Sequence, residues 1–207
     1  AVMPKGGFYF DSTNRQQPID NSKLNVQDNL EDYVLLTDEQ LEYYAEEAER
    51  LYNNTGKAVM GLVYGTNFGD PGYLTAPWRK ETKGIRSTEE WYISLLTRQD
   101  YVKELFAGQC DIALKNIELV HHAVGERITV INVCANDLGT QNAPLIRPEI
   151  YDQLFKPVHK RINDWIHENT KWKTFLHISG EISSLLPGNI EPGFDILKPI
   201  QWTAAGM

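Results

Sequence analysis

Cysteines, long apolar runs and excess positive charge are what this 207-residue sequence has least of. Its two cysteines, Cys110 and Cys134, lack CxxC spacing, which excludes a disulfide framework and a zinc ribbon. No apolar run approaches the roughly 18 residues that a membrane span needs. With 28 Asp and Glu against 20 Lys and Arg, the net charge of -8 disfavours binding to nucleic-acid backbones. We therefore expect a cytoplasmic protein with neither a membrane nor a nucleic-acid partner.

The composition indicates one folded domain. A hydrophobic content of 42% and an aromatic content of 11% are too high for a disordered chain, and the length suits a single core. The sequence begins at Ala1 without an initiator Met and ends at Met207, directly after the run FDILKPIQWTAAGM. We expect residues 1–207 to form one partial domain of a longer protein.

Short apolar runs alternate with amphipathic stretches along the chain. Thr37 and Gln40 have capping-box spacing for a helix that ends before Gly56, and Ser87 with Glu90 marks the start of another helix. The predicted strands cover 57–64, 128–134, 174–177 and 195–197. The other predicted elements are a turn leading into a strand at 4–12, a surface loop at 15–32, a helix capped by Asp100 that reaches 123, and helices at 148–169 and 183–190.

This alternation predicts parallel βα units, with each strand buried on both faces. Such strands belong either to an open doubly wound sheet or to part of a (β/α)8 barrel. No G-x-G-x-x-G motif follows any predicted strand, which weakens the dinucleotide-binding option. A complete barrel takes about 250 residues. The sequence therefore predicts a (β/α)8 TIM barrel that is incomplete at both ends.

The functional side chains of a barrel lie just beyond the carboxyl ends of its strands. The segment NDLGTQNAPL, after the second strand, is the richest because it combines a carboxylate, amides and a hydroxyl on a Gly-containing turn. Its carboxylate, Asp137, is suited to relay a proton or to balance a charge. The strand-end rule selects Tyr64, Thr66, Asn67 and Asp70 after the first strand, Asn136, Asp137, Thr140, Gln141 and Asn142 after the second, His177, Ser179 and Glu181 after the third, and Lys198 and Gln201 after the fourth.

Purely structural roles compete with these functional ones. An Asp ahead of a helix often only caps it or closes an Asx-turn, and this interpretation fits Asp137 equally well. His177, at a strand end, also fits a core histidine that makes its hydrogen bonds within the fold. His159 and His167 have the spacing of helix-surface residues, so we assign them no function.

One segment carries a resemblance to a known family. The run NDLGTQNAPLIRPEIYDQLFKPVHKRINDWIHENTKWKTFLHISG resembles the uroporphyrinogen decarboxylase superfamily, in particular its branch related to cobalamin-dependent methyltransferases. The run EPGFDILKPIQWTAAGM is similar to the family's next stretch, and FGDPGY fits the same pattern. The resemblance covers most of residues 57–207 and is most specific from Asp137 to Met207.

The resemblance implies a (β/α)8 barrel and one of two activities. The decarboxylases remove acetate carboxylates from a tetrapyrrole without a cofactor, using arginines and an aspartate from an amino-terminal region that has no counterpart here. The methyltransferases move a methyl group between a corrinoid and a thiol or similar acceptor, and hold zinc through a His-x-Cys pair plus a later Cys. His177 matches the motif histidine, but Ser179 stands where the family has Cys, and a neutral hydroxyl is a poor zinc ligand.

We therefore expect corrinoid-linked methyl transfer by the parent protein, with Asp137 and His177 as catalytic residues and His177 as a metal ligand. Two alternatives stay open. One is a tetrapyrrole decarboxylase, and the other is a non-catalytic relative that binds a corrinoid or a partner such as a corrinoid protein. The open edges of an incomplete barrel also predict a homo-oligomer. The expected substrate-binding residues are Tyr64, Asn67, Gln141, Asn142 and Gln201.

Overall fold

A parallel sheet organises the chain. The computed structural model describes residues 16–207, so the turn and strand predicted at 4–12 lie outside the described residues. The three neighbouring strand pairs are all parallel, and the strand order in the sheet is the order along the chain. Because this order never reverses, the four strands contain no topological switch point of the doubly wound type. The strands are β1 (Met60–Leu62), β2 (Val130–Asn136), β3 (Lys173–Ile178) and β4 (Ile196–Lys198).

Helices fill the connections between the strands. The long helix between β1 and β2 and the one between β2 and β3 pack against each other and against the sheet. Short 3-10 turns at Gly125–Arg127 and Ser183–Leu185 complete the connections. The helices are α1 (Gln27–Leu30), α2 (Asp38–Asn54), α3 (Pro71–Leu74), α4 (Thr88–Thr97), α5 (Gln99–Val124), α6 (Pro148–Ile150), α7 (Lys156–Asn169) and α8 (Leu186–Ile190).

Local signals located most helix starts. The capping box at α2 is confirmed, since the Gln40 N–H donates to Thr37 Oγ1 at 3.3 Å and the Thr37 N–H donates to Gln40 Oε1 at 2.9 Å. Ser87 caps α4 by accepting the Glu90 N–H at 3.1 Å. The Asp100 cap is wrong, because α5 already begins at Gln99 and has no side-chain cap.

The helix predicted from Pro148 to Asn169 is present, but its hydrogen-bond pattern changes along its length. A five-residue π-helical segment, Tyr151–Phe155, separates α6 from α7. This segment turns the Phe155 ring into the core, where its centroid lies 5.1 Å from that of Phe106 in an edge-to-face arrangement.

Helices cover one face of the sheet. Ile131 on β2 and Leu176 on β3 are buried on this face, where α7 packs against both strands. The other face is largely open. Met60 and Leu62 are 51% and 61% exposed, so the prediction that the first strand is buried on both faces is wrong. Within residues 16–207, β1 pairs with β2 alone and so lies at the edge of the described sheet; the four described strands do not close into a barrel.

The prediction of a surface loop at 15–32 is wrong for residues 27–32. These residues contain α1 and two buried polar side chains, Asn29 and Asp32. The Asn29 side chain donates to the Ile85 carbonyl at 3.0 Å and accepts the Ile85 N–H at 2.9 Å. The buried Asp32 carboxylate pairs with Arg79 and with the buried Arg86. These polar residues are buried because a distant segment supplies their partners, which the local sequence does not reveal.

His159 also departs from its prediction. It is fully buried on α7 rather than on the helix surface, and its Nδ1 lies 2.8 Å from the Tyr151 hydroxyl. His167, in contrast, is exposed on the helix surface as predicted, with its Nε2 2.8 Å from the Asp195 carboxylate. Within residues 16–207, no helix is both long enough and apolar enough to cross a membrane.

Candidate functional site

The side chains that follow β1 converge on one cavity. Tyr64, Thr66, Asn67 and Asp70 all line an open cavity of about 1180 Å³ between α2 and the edge strand β1. The carboxyl ends of parallel strands share one edge of the sheet, so side chains that follow β2 and β3 lie beside this cavity. Two of the predicted substrate-binding residues, Tyr64 and Asn67, are among its lining residues.

Two of the residues that line the cavity carry buried amide atoms without a hydrogen-bond partner among the described residues. The Thr66 hydroxyl is already used, since it donates to the Val63 carbonyl at 2.8 Å. Asn67 Nδ2 and Asn132 Oδ1 are buried and have no hydrogen-bond partner among the described residues. An unpaired buried donor or acceptor costs about 1–3 kcal/mol. A ligand or water that pairs with these two amides would recover that cost.

Tyrosines form a large part of the cavity wall. The Tyr44 hydroxyl donates to the Leu62 carbonyl at 2.6 Å, and the Tyr64 hydroxyl donates to the Asp32 carbonyl. Burial raises the pKa of Tyr64 to about 12, and the Asp32 charge adds to the effect. Both phenols therefore act as neutral donors that fix the positions of their rings.

Asp70 lies where the cavity meets the edge of the sheet. Its Oδ1 accepts the Gly72 N–H at 2.8 Å and so caps α3. Burial raises the pKa of the Asp70 carboxyl, and the nearby charge of Asp137 raises it further. The two carboxylates follow β1 and β2, two paired parallel strands whose carboxyl ends share one edge of the sheet.

Asp137 connects the ends of β2 and β3. Its Oδ1 accepts a hydrogen bond from the Ser179 hydroxyl at 3.2 Å. Its backbone carbonyl accepts one from the Tyr92 hydroxyl, whose pKa is raised to about 12 by burial and by the Asp137 charge. The carboxylate is exposed, and the described part of the chain gives its Oδ2 no hydrogen-bond partner. It is therefore accessible to a substrate.

The loops behind Asp137 are locked together through backbone contacts. The Glu181 N–H donates to the Thr140 carbonyl at 2.7 Å. A Cβ on Gly180, whose φ is +88°, would lie 2.3 Å from the Gly139 carbonyl carbon. Only glycine allows this approach, so the two loops hold Asp137 and Ser179 in register.

The amides predicted to bind substrate lie on these same loops. Gln201 Oε1 accepts the Gly180 N–H at 2.9 Å, and the Gln141 carbonyl accepts the Ala205 N–H at 2.8 Å. Asn142 is exposed on the same turn as Gln141. Gln201 and the Gln141 backbone thus hold the loops together through hydrogen bonds. The Gln141 side chain is exposed.

His177 lies on the open face of the sheet, half-buried and in register with Lys198 of β4. The residues around it do not fit a zinc site. Ser179 donates its hydroxyl to Asp137, and Glu181 is buried and accepts hydrogen bonds from the Ser183 N–H and hydroxyl. Across residues 16–207, no three His, Cys, Asp or Glu side chains are grouped so that they could hold a metal ion.

Several site residues were not predicted from the sequence. Tyr92 is one turn into α4 and Asn132 is in mid-strand, so neither follows a strand end. Tyr44 is on α2, a helix that the strand-end rule does not cover. The glycines that follow β2 and β3 were the one usable signal, because Gly139 and Gly180 each come within four residues of a strand end.

Comparison with known proteins gives one informative similarity. No family model and no curated protein sequence matches the chain. The fold is similar to the solved structure of a methyltransferase from Methanosarcina mazei, with a TM-score of 0.53 and 15% sequence identity. The match covers 79% of this chain and 44% of that structure, so the chain spans less than half the length of the protein that it resembles.

Proposed function

We propose that this chain is part of a (β/α)8 barrel of the uroporphyrinogen decarboxylase type, and that its parent protein transfers a methyl group between a corrinoid and a thiol or similar acceptor. The order β1-β2-β3-β4, without reversal, is what a stretch of barrel requires. The fold similarity to a methyltransferase supports the same choice. A cytoplasmic location accompanies this proposal, in keeping with two buried free cysteines.

The observation that carries the proposal is the position of Asp137. Its carboxylate is at the carboxyl end of β2, is oriented by Ser179, and has an accessible Oδ2. A carboxylate held in this way can take the proton of a thiol as the thiol becomes a nucleophile. The sulfur then attacks the methyl carbon, a C–S bond forms, and the cobalt–carbon bond breaks with its electron pair remaining on cobalt. The proton stays on Asp137 Oδ2 until it is released to water.

The step proposed here is written with this chain's own residues and without zinc, because no three His, Cys, Asp or Glu side chains among the described residues are grouped to hold a metal ion. His177 is proposed instead to contact substrate from the open face of the sheet, while Asn67 and Tyr64 bind it from the cavity. The corrinoid, free or on a partner protein, is the methyl-carrying substrate.

A non-catalytic role is the second candidate, and Ser179 is the observation that favours it. A serine that binds Asp137 in place of a zinc-binding cysteine suits a protein that holds a corrinoid or a partner without turnover. A tetrapyrrole decarboxylase would have to bind several carboxylates, whereas Glu39, Glu47 and Asp70 are the charged residues that line the described cavity. We therefore rank it below methyl transfer.

The test is to supply the protein with methylcobalamin and a thiol, and to follow loss of the methylcobalamin absorbance together with formation of the thioether. A parallel reaction with a carboxylated porphyrinogen reports decarboxylation. Thioether formation without porphyrinogen turnover supports the proposal, and porphyrinogen turnover contradicts it. Binding of cobalamin without either reaction supports the non-catalytic role.

The Ser179→Cys variant separates the two leading candidates further. If the serine has replaced a metal ligand in a degenerate site, the variant should gain zinc together with methyl transfer. If the protein works through Asp137 without zinc, the variant should lose the hydrogen bond to Asp137 and become slower than the wild type. Bound zinc is measured by atomic absorption after gel filtration.

A further inference from the structure

The cavity between α2 and β1 carries charge of one sign. Its charged lining residues are Glu39, Glu47 and Asp70, and no Lys or Arg from residues 16–207 lines it. Glu47 pairs with the exposed Arg50, whereas Glu39 and Asp70 have no salt bridge to a basic side chain in the described part of the chain. The field inside the cavity therefore attracts a cation and repels an anion.

Two arginines among the described residues are held in ion pairs and do not line the cavity. Arg79 pairs with Glu31 and Asp32, and the buried Arg86 also pairs with Asp32. Their guanidinium groups are held by these acids and by backbone carbonyls. They therefore do not offset the acidic lining.

Tyrosine rings line the cavity together with its acidic residues. The ring centroids of Tyr64 and Tyr73 are 6.0 Å apart with the planes at 52°, and those of Tyr73 and Trp78 are 5.5 Å apart at 67°. Tyr43 and Tyr44 line the cavity from α2. The charge of a quaternary ammonium group is attracted to aromatic ring faces within about 6 Å, and a carboxylate that lines the same cavity adds to this attraction.

Most of the remaining lining is apolar. Leu35, Met60 and Leu62 belong to it and are about half exposed. They offer a contact surface to hydrocarbon, and the unpaired Asn67 Nδ2 offers one hydrogen bond. The surface thus suits a ligand with a cationic head and an apolar or weakly polar body.

From these observations we infer that the cavity is a binding site for an organic cation, of the methylated or quaternary ammonium class, with its head against Asp70, Tyr64 and Tyr73. A bound cation offsets the repulsion between the Asp70 and Asp137 carboxylates. That this cation is the small substrate of methyl transfer rests on the proposed function. That the cavity binds such a cation rests only on the residues that line it.

The test is calorimetric titration of the protein with choline, and with 3,3-dimethyl-1-butanol as its uncharged isostere. We expect choline to bind at least about tenfold more tightly, which is the range of a partly desolvated cation–π site beside a carboxylate. Equal affinity for the two probes would mean a merely apolar groove and would overturn the inference. Absence of binding by both would overturn it as well, while leaving the methylcobalamin assay to decide the proposed function separately.

Matched variants locate the site. Tyr73→Leu should weaken choline binding severalfold, whereas Tyr73→Phe keeps the ring and should retain the affinity. Asp70→Asn removes the charge but can still cap α3, so the fold should persist while choline binding weakens. Unchanged affinity in both Tyr73→Leu and Asp70→Asn would place any binding elsewhere and contradict the inference.

Discussion

The hydroxyl of Ser179 donates a hydrogen bond to Asp137 Oδ1 at 3.2 Å, and this contact joins the carboxyl ends of two neighbouring strands. Ser179, which stands where the superfamily named in the proposal has a cysteine, therefore has a defined partner. A serine here orients the carboxylate with a neutral donor and leaves its second oxygen accessible. The serine thus gives this position a different role, which is to orient the Asp137 carboxylate.

The loop contact that supports this pair can be tested at Gly180. Gly180→Ala should destabilise the protein by about 2–4 kcal/mol, because the new Cβ meets the Gly139 backbone and the residue has a positive φ. The free energy of unfolding is measured in urea. Gly56→Ala is the control, since nothing lies within 4 Å of a Cβ there, and it should change stability by about 0.5 kcal/mol or less. Equal effects of the two variants would contradict the close loop contact.

His159 makes a prediction about pH. Burial lowers its pKa from 6.5 to about 3, so it stays neutral in the folded protein where the unfolded chain would bind a proton. The stability that His159 contributes is therefore complete above pH 6.5 and is lost as the pH falls toward 3. One such group gives a slope of up to about 1.4 kcal/mol per pH unit in that window.

The variant that isolates this effect is His159→Phe. It leaves the Tyr151 hydroxyl without its partner and so lowers stability at every pH, but it should remove the slope between pH 6.5 and about 3. Replacement of the exposed His122 by Asn should leave the slope unchanged. An undiminished slope in His159→Phe would show that other groups control acid unfolding.

The open edge of the sheet predicts self-association. Leu62 is 61% exposed on β1, which lies at the edge of the sheet formed by residues 16–207, and exposed edge strands pair readily with other chains. Leu62→Lys should reduce the fraction of dimer or larger species measured by light scattering after gel filtration. Leu96→Lys, at a residue that is 66% exposed on α4, is the control and should have no effect. A wild-type protein that is monomeric at all concentrations would contradict this prediction.

Sequence patterns located the elements well because their signals are local. The Thr37 capping box and the apolar runs depend on residues within a few positions of each other, and the strand-end rule follows from parallel topology alone. That rule identified Tyr64, Asn67 and Asp70, which line the cavity together. It also gave the positions of Asp137 and Ser179, although not their mutual hydrogen bond.

The failures came from contacts between distant residues. Burial of Asp32 depends on Arg86, which is 54 positions away, and no local pattern reports such a pair. Burial of His159 depends on the Tyr151 hydroxyl and the aromatic rings around it, which turned a helix-surface pattern into a core position. The exposure of Leu62 depends on how many strands lie beside β1, which the composition of β1 does not reveal.

The most direct measurement is the rate of methylcobalamin demethylation by the Asp137→Asn variant in the presence of a thiol. If Asp137 takes the thiol proton, the variant should be slower than the wild type by about 100-fold or more while keeping its thermal stability. The control is Asp111→Asn, which removes an exposed carboxylate on α5 that pairs with Arg161 of α7 and should keep the wild-type rate. A folded Asp137→Asn protein that reacts at the wild-type rate would contradict the account.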